Sequence, residues 1–144
     1  MKGKRIWVVL FGLYGALMLW LLFDRPGYIE GIPYWDQAAN HLNLIPFRTL
    51  RLFFGLLDSS RTEYVRAAVV NLFGNVIMFI PLGFLLPRVF PQLNRFRKVL
   101  LTTALIITAV EIIQLLTLVG SCDIDDLILN VIGAAVGYGL HNLI

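Results

Sequence analysis

Four apolar stretches, each close to the length of a bilayer's hydrocarbon core, divide the chain. Residues 6–23 and 67–87 carry no charge, 99–119 carries one, Glu111, and 127–144 is uncharged and slightly short. A membrane-crossing helix takes roughly 17–25 such residues. The pattern therefore predicts an all-α polytopic membrane protein with four transmembrane helices, forming a single domain over 1–144. Between the first two spans lies "IPFRTLRLFFGLL" (45–57). Pro46 stands where a first helical turn accepts it, Arg48 and Arg51 share a face, and Phe47, Leu50, Phe54 and Leu57 recur at roughly helical spacing. This predicts an amphipathic helix lying at the outer interface, with a re-entrant hairpin as the alternative.

Composition agrees. Hydrophobic residues make up 58% of the chain and charged ones 15%, too little polar surface for a soluble domain. A formal net charge of +3 carries no nucleic-acid signature. Cys122 is the one cysteine, which excludes an internal disulfide and a CxxC metal site. Lys2, Lys4 and Arg5 resemble the basic start of a signal peptide. The apolar run behind them is longer than the usual roughly 7–15 residues and no small-residue cleavage site precedes Asp24, so a retained anchor is expected.

Charge placement sets direction. Lys2, Lys4, Arg5, Arg88, Arg95, Arg97 and Lys98 fall on one side of the four spans, with no acid beside them. The positive-inside rule makes that side cytoplasmic, with both termini inside. The 24–66 segment, with five acids and five arginines, and the 120–126 turn then face outward. Trp7, Trp20, Tyr34 and Trp35 read as interface anchors.

The intramembrane polar residues share a depth. At 1.5 Å of rise per residue, Asn71 and Asn75 lie roughly 6 and 12 Å below the outer end of span two. Glu111 and Gln114 lie roughly 12 and 7 Å from the outer end of span three, and Asn130 roughly one turn into span four. Each pair shares a helix face, as do Asp126 and Asn130. Unpaired polar groups in hydrocarbon are costly, so the three faces should turn toward one another as a pocket open to the outside. Interhelical hydrogen-bond glue is the plainer role for Asn71, Asn75 and Gln114. A carboxyl within a span is a functional candidate by default, which singles out Glu111.

The turn before span four reads "DIDD" (123–126). Asp123 suits an N-cap, and Asp125 and Asp126 complement the helix dipole. Capping uses one or two acids, so a third asks for a cation. Arg48, Arg51 and Arg66 are candidates, and Asp123, Asp125 and Asp126 together would suit Mg²⁺ or Ca²⁺. Gly133 and Gly137 form a GxxxG face for packing on a helix of this chain, of a second copy or of a membrane partner.

Four ordered motifs, "NLIPFRTL" (43–50), "NLFGNVIMFIPLGFLLP" (71–87), "EIIQLL" (111–116) and "DIDDLILNVIGAAVGY" (123–138), resemble the VanZ-like family over about two-thirds of the chain. The matching positions are Pro46, Phe47, Arg48, Asn71, Gly74, Asn75, Pro81, Gly83, Glu111, Gln114, Asp123, Asp126, Asn130 and Gly133. The resemblance implies a small multi-pass protein of the bacterial cytoplasmic membrane, associated with resistance to the glycopeptide teicoplanin. Many relatives carry an arginine just before the aspartates, where this chain reads "TLVGSCD". That departure implies that Arg48, Arg51 or a cation answers the acids.

Three functions follow as expectations. The first is a binding protein whose outer-leaflet pocket engages a lipid-linked cell-wall precursor or an amphiphilic glycopeptide through Arg48, Arg51, Asn71, Asn75, Gln114, Asp123, Asp126 and Asn130. The second is a membrane enzyme with Glu111 as acid/base and the aspartates holding a divalent cation. The third is a structural subunit docked through Gly133 and Gly137. His41 and His141 fall on opposite sides of the membrane, and no Ser–His–Asp set or HExxH occurs.

Overall fold

A computed structural model describes the backbone of residues 2–24 and 27–143, with side chains from Lys4 onward. The side chain of Lys2, the whole of Arg25 (both counted in the charge balance) and Ile144 at the end of the fourth span lie outside the described residues. The elements are α1 (Lys2–Phe23), α2 (Tyr34–Asn40), β1 (Leu42–Asn43), α3 (Arg48–Leu56), α4 (Thr62–Val89), α5 (Phe96–Thr117), β2 (Cys122–Asp123) and α6 (Ile124–Leu143), with a 3-10 turn at Pro91–Leu93. Among the described residues, three helices are long and apolar enough to cross a membrane: Lys4–Phe23 of α1, and the whole of α4 and α5. The 20-residue α6 falls outside that group, because Asp125, Asp126, Asn130, His141 and Asn142 lower its hydropathy.

Helix direction follows from the contacts. Asn75 meets Asp126, and Arg88 meets His141, so α4 and α6 run the same way. Trp7 stacks on Phe84 and Tyr14 donates to the Met78 carbonyl, so α1 runs against α4. Gln114, near the end of α5, donates to the carbonyl of Leu22 near the end of α1. α1 and α5 therefore run together, opposed to α4 and α6.

The α4–α6 seam is the closest in the molecule. A Cβ at Gly133 would overlap the Val76 carbonyl, one at Gly137 the Ile80 carbonyl, and one at Gly83 the Ala134 carbonyl. Absence of side chains here is what lets two backbones meet. Of the neighbours the GxxxG face could serve, α4 of the same chain is the one that occupies it. α1 packs through Phe11, Tyr14, Met18 and Leu22, a stripe at helical spacing, against a core of Phe79, Leu82, Leu86, Val99 and Ile107. Its other face exposes Leu13 and Leu17.

A parallel ladder of two residues per strand, Leu42–Asn43 on Cys122–Asp123, ties the connection after α1 to the α5–α6 turn. Neither the ladder nor α2 was expected from the sequence. Gln37, on α2, is buried and takes the Ile29 N–H while donating to the carbonyls of Ile29 and Ile32. α5 ends with Leu118 in the left-handed region at φ 57 and with Val119 N–H bonded to the Gln114 carbonyl, a Schellman-type stop.

Candidate functional site: an enclosed polar chamber

Each of the three aspartates has a separate task. Asp123 caps α6 by accepting the Asp125 N–H at 2.9 Å. It also accepts from Asn43 Nδ2 at 3.1 Å and Thr49 Oγ1 at 2.5 Å, which locks β1 and α3 to α6. Asp125 is fully buried and caps a different helix. Its two oxygens take the N–H groups of Phe47 (2.6 Å) and Leu50 (3.0 Å) at the start of α3, which has no side-chain cap of its own. Pro46 and Phe47 form the corner of a turn closed by Arg48 N–H on the Ile45 carbonyl, and Phe47 takes φ 64. That conformation costs a residue with a Cβ about 1–2 kcal/mol, and the Asp125 bonds hold it. α3 accordingly begins after Pro46 rather than with it.

Only Asp126 turns inward, accepting from Asn75 Nδ2 at 2.7 Å. The three carboxyls therefore do not converge. Among the described residues no group of three or more His, Cys, Asp or Glu is placed to hold a metal ion. This corrects the expectation of an Asp123–Asp125–Asp126 cation cage. The donors that answer Asp123 and Asp125 are amides and a hydroxyl rather than Arg48 or Arg51. Arg48 instead borders an outer hollow of about 480 Å³ with His41, Asn43 and Asp123, and Arg51 is exposed.

Asn75 and Asp126 border a chamber of about 60 Å³ with Glu111, Gln114 and Asn130. Its walls include Leu22, Met78, Phe79, Ile107 and Val110, and Gly120 and Ser121 from the α5–α6 turn. The close α4–α6 seam sets Asn75 against Asp126 and Asn130. The helical three-residue spacing of Glu111 and Gln114 brings α5 in from the side. Glu111 and Asn130 are 7% and 6% exposed, and Glu111 Oε1 and Asn130 Oδ1 are buried without a hydrogen-bond partner. Buried acceptors left unpaired are rare and costly. The chamber has room for roughly four water-sized occupants.

The remaining expected residues divide. Gln114 borders the chamber and also bonds the Leu22 carbonyl, so it is interhelical glue as well. Asn71 sits one turn from Asn75 with a buried unpartnered Oδ1, but is not among the residues bordering the chamber. Sequence reasoning missed Leu22, whose apolar side chain reads as core, and Gly120 and Ser121, which carry no charge or periodic signal. Cys122 is half-buried, and its thiol approaches Glu111 Oε2 at 3.9 Å. Burial, then the carboxyls of Glu111 and Asp123, push the thiol pKa up, so Cys122 stays protonated and a poor nucleophile at neutral pH.

Apolar helices of membrane-crossing length around a polar cavity mark this as a membrane protein. A family model described as VanZ/LLP1 matches residues 9–144, and the chain belongs to that family. Protein VanZ of Enterococcus faecium is 31% identical over 143 residues, covering 97% of this chain and 78% of that relative. No solved structure matches the chain.

Proposed function

We propose that this is a four-pass protein of the bacterial cytoplasmic membrane whose chamber engages a lipid-linked cell-wall precursor or an amphiphilic glycopeptide, in teicoplanin-type resistance. The observation that carries this reading is the pair of buried, unpartnered acceptors, Glu111 Oε1 and Asn130 Oδ1, on one cavity. Buried acceptors of this kind call for a hydrogen-bond donor, which an amine, amide or hydroxyl of a ligand can supply.

The alternation of α1 and α5 against α4 and α6 supports α6 as a fourth crossing and both termini in the cytoplasm. Arg88, packed between the rings of Trp7 and Phe84 and bonded to His141 Nδ1, fits the inner end. α3 exposes Leu52 and Phe54, which suits an outer interface. The enzyme alternative draws on the same carboxyl: Glu111 has one free oxygen beside space for a reacting group.

Titration of the protein in lipid nanodiscs with teicoplanin, and separately with a lipid-linked cell-wall precursor, tests the reading. The wild type should bind one of them saturably. Glu111→Gln and Asp126→Ala should each weaken that binding about tenfold, the loss of one charge-assisted hydrogen bond. No saturable binding by the wild type contradicts the proposal. Retained binding in Glu111→Gln, with turnover of the precursor lost, favours the enzyme.

A further inference from the structure

An apolar groove of about 200 Å³ runs between α1, α4 and α5, bordered by Phe11, Gly15, Met18, Leu82 and Ile106. It shares Leu22, Phe79 and Val110 with the polar chamber, so the two adjoin. From Phe11 to Leu22 the groove follows about 16 Å of helix, close to the roughly 15 Å of one leaflet's hydrocarbon. The chamber lies at the Leu22 end of the groove.

The chamber's chemistry is one-sided. Its lining holds the carboxyls of Glu111 and Asp126 and the free carbonyl oxygen of Asn130, and no basic side chain. At about 60 Å³ it admits one small protruding group of a ligand, such as an amine, rather than a whole sugar or peptide. A small cationic donor satisfies every one of these constraints. An alkyl chain satisfies the groove, which needs an apolar occupant narrow enough to lie along one helix.

Building on the chamber reading above, we infer that groove and chamber form one site for a bilayer lipid with a primary-amine headgroup, its acyl chain between α1 and α5 and its ammonium on Glu111 and Asn130. The occupant enters sideways from the membrane, past α1. Charge attraction selects the amine over an anionic or hydroxyl headgroup.

Gly15 supplies the test. It borders the groove, and a Cβ there meets nothing within 4 Å, so Gly15→Leu fills the groove without disturbing the chain. Gly12 is equally unobstructed but outside the groove, so Gly12→Leu is the control. The protein in nanodiscs is illuminated with photoactivatable phosphatidylethanolamine or phosphatidylglycerol carrying the reactive group mid-chain, and labelled residues are mapped by mass spectrometry. The ethanolamine probe should label Phe11, Met18 and Ile106 about tenfold more than the glycerol probe. Gly15→Leu should lose that labelling, Gly12→Leu should keep it, and the outward Leu13 and Leu17 should be labelled alike in all. Groove labelling no greater than that of Leu13, or unaffected by Gly15→Leu, overturns the acyl assignment and leaves the chamber reading standing. Equal groove labelling by both probes overturns the ammonium assignment.

Discussion

Replacement of Gly133 by leucine is expected to abolish the folded protein. The new Cβ would meet the Val76 carbonyl and force α4 and α6 apart, and neither partner is a flexible side-chain tip that can move aside. Overpacking against side chains costs roughly 1–3 kcal/mol, and overlap with fixed backbone exceeds that. Separation of the two helices also parts Asn75 from Asp126, so the chamber is dismantled with the seam. Gly139, on the same helix, has open space where its Cβ would stand, and Gly139→Leu should behave as wild type. Size-exclusion profiles in mild detergent separate the cases. A monodisperse, heat-stable Gly133→Leu would mean that the seam is not the closest packing in the bundle.

Asp125→Ala carries the second large effect. Its carboxyl lies fully buried and satisfies two N–H groups at the start of α3. Truncation leaves both unanswered, removes favourable charge from a helix N-terminus and releases Phe47 from its left-handed turn. The expected loss is about 3 kcal/mol, seen as a melting temperature lower by roughly 10 °C. Asp125→Asn keeps one acceptor but points an N–H₂ at a donor, so it should also destabilise. Both variants should keep Asp126 and Glu111 in place, so chamber binding below the new melting temperature should survive. An unchanged melting temperature for Asp125→Ala would contradict the capping role.

Most of the helices were legible because their signal is local. Spans at 6–23, 67–87 and 99–119 correspond to α1, α4 and α5. α4 begins at Thr62, five residues before the apolar run, because a helix is not bound to end where its apolar residues do. The left-handed stop of α5 falls on Leu118, a buried residue of a type that rarely takes that conformation, so its identity gave no signal. The two-residue ladder of β1 and β2 has no period to read.

The site was legible where polar residues shared both depth and helix face. Asn75, Glu111, Gln114, Asp126 and Asn130 meet the two conditions and border one chamber. The aspartate run was misread because its local pattern is ambiguous. Nothing in "DIDD" shows that Asp125 answers amides 78 and 75 positions earlier, or that Asp123 reaches Asn43 and Thr49. Long-range pairing of that kind decides which of three like residues is free to face a ligand. An acid that looked surplus in the sequence is the cap of another helix.

Glu111 and Asn130 each present an unpaired acceptor on one cavity, which calls for a donor between them. The most direct test is an experimental structure of the protein in lipid nanodiscs, at a resolution that shows ordered water and headgroups. Density within hydrogen-bond distance of both Glu111 Oε1 and Asn130 Oδ1, enclosed by α4, α5 and α6, is the predicted result. A Glu111 carboxyl turned toward the acyl chains, or a collapsed dry cavity with Glu111 bonded only to protein, would contradict it.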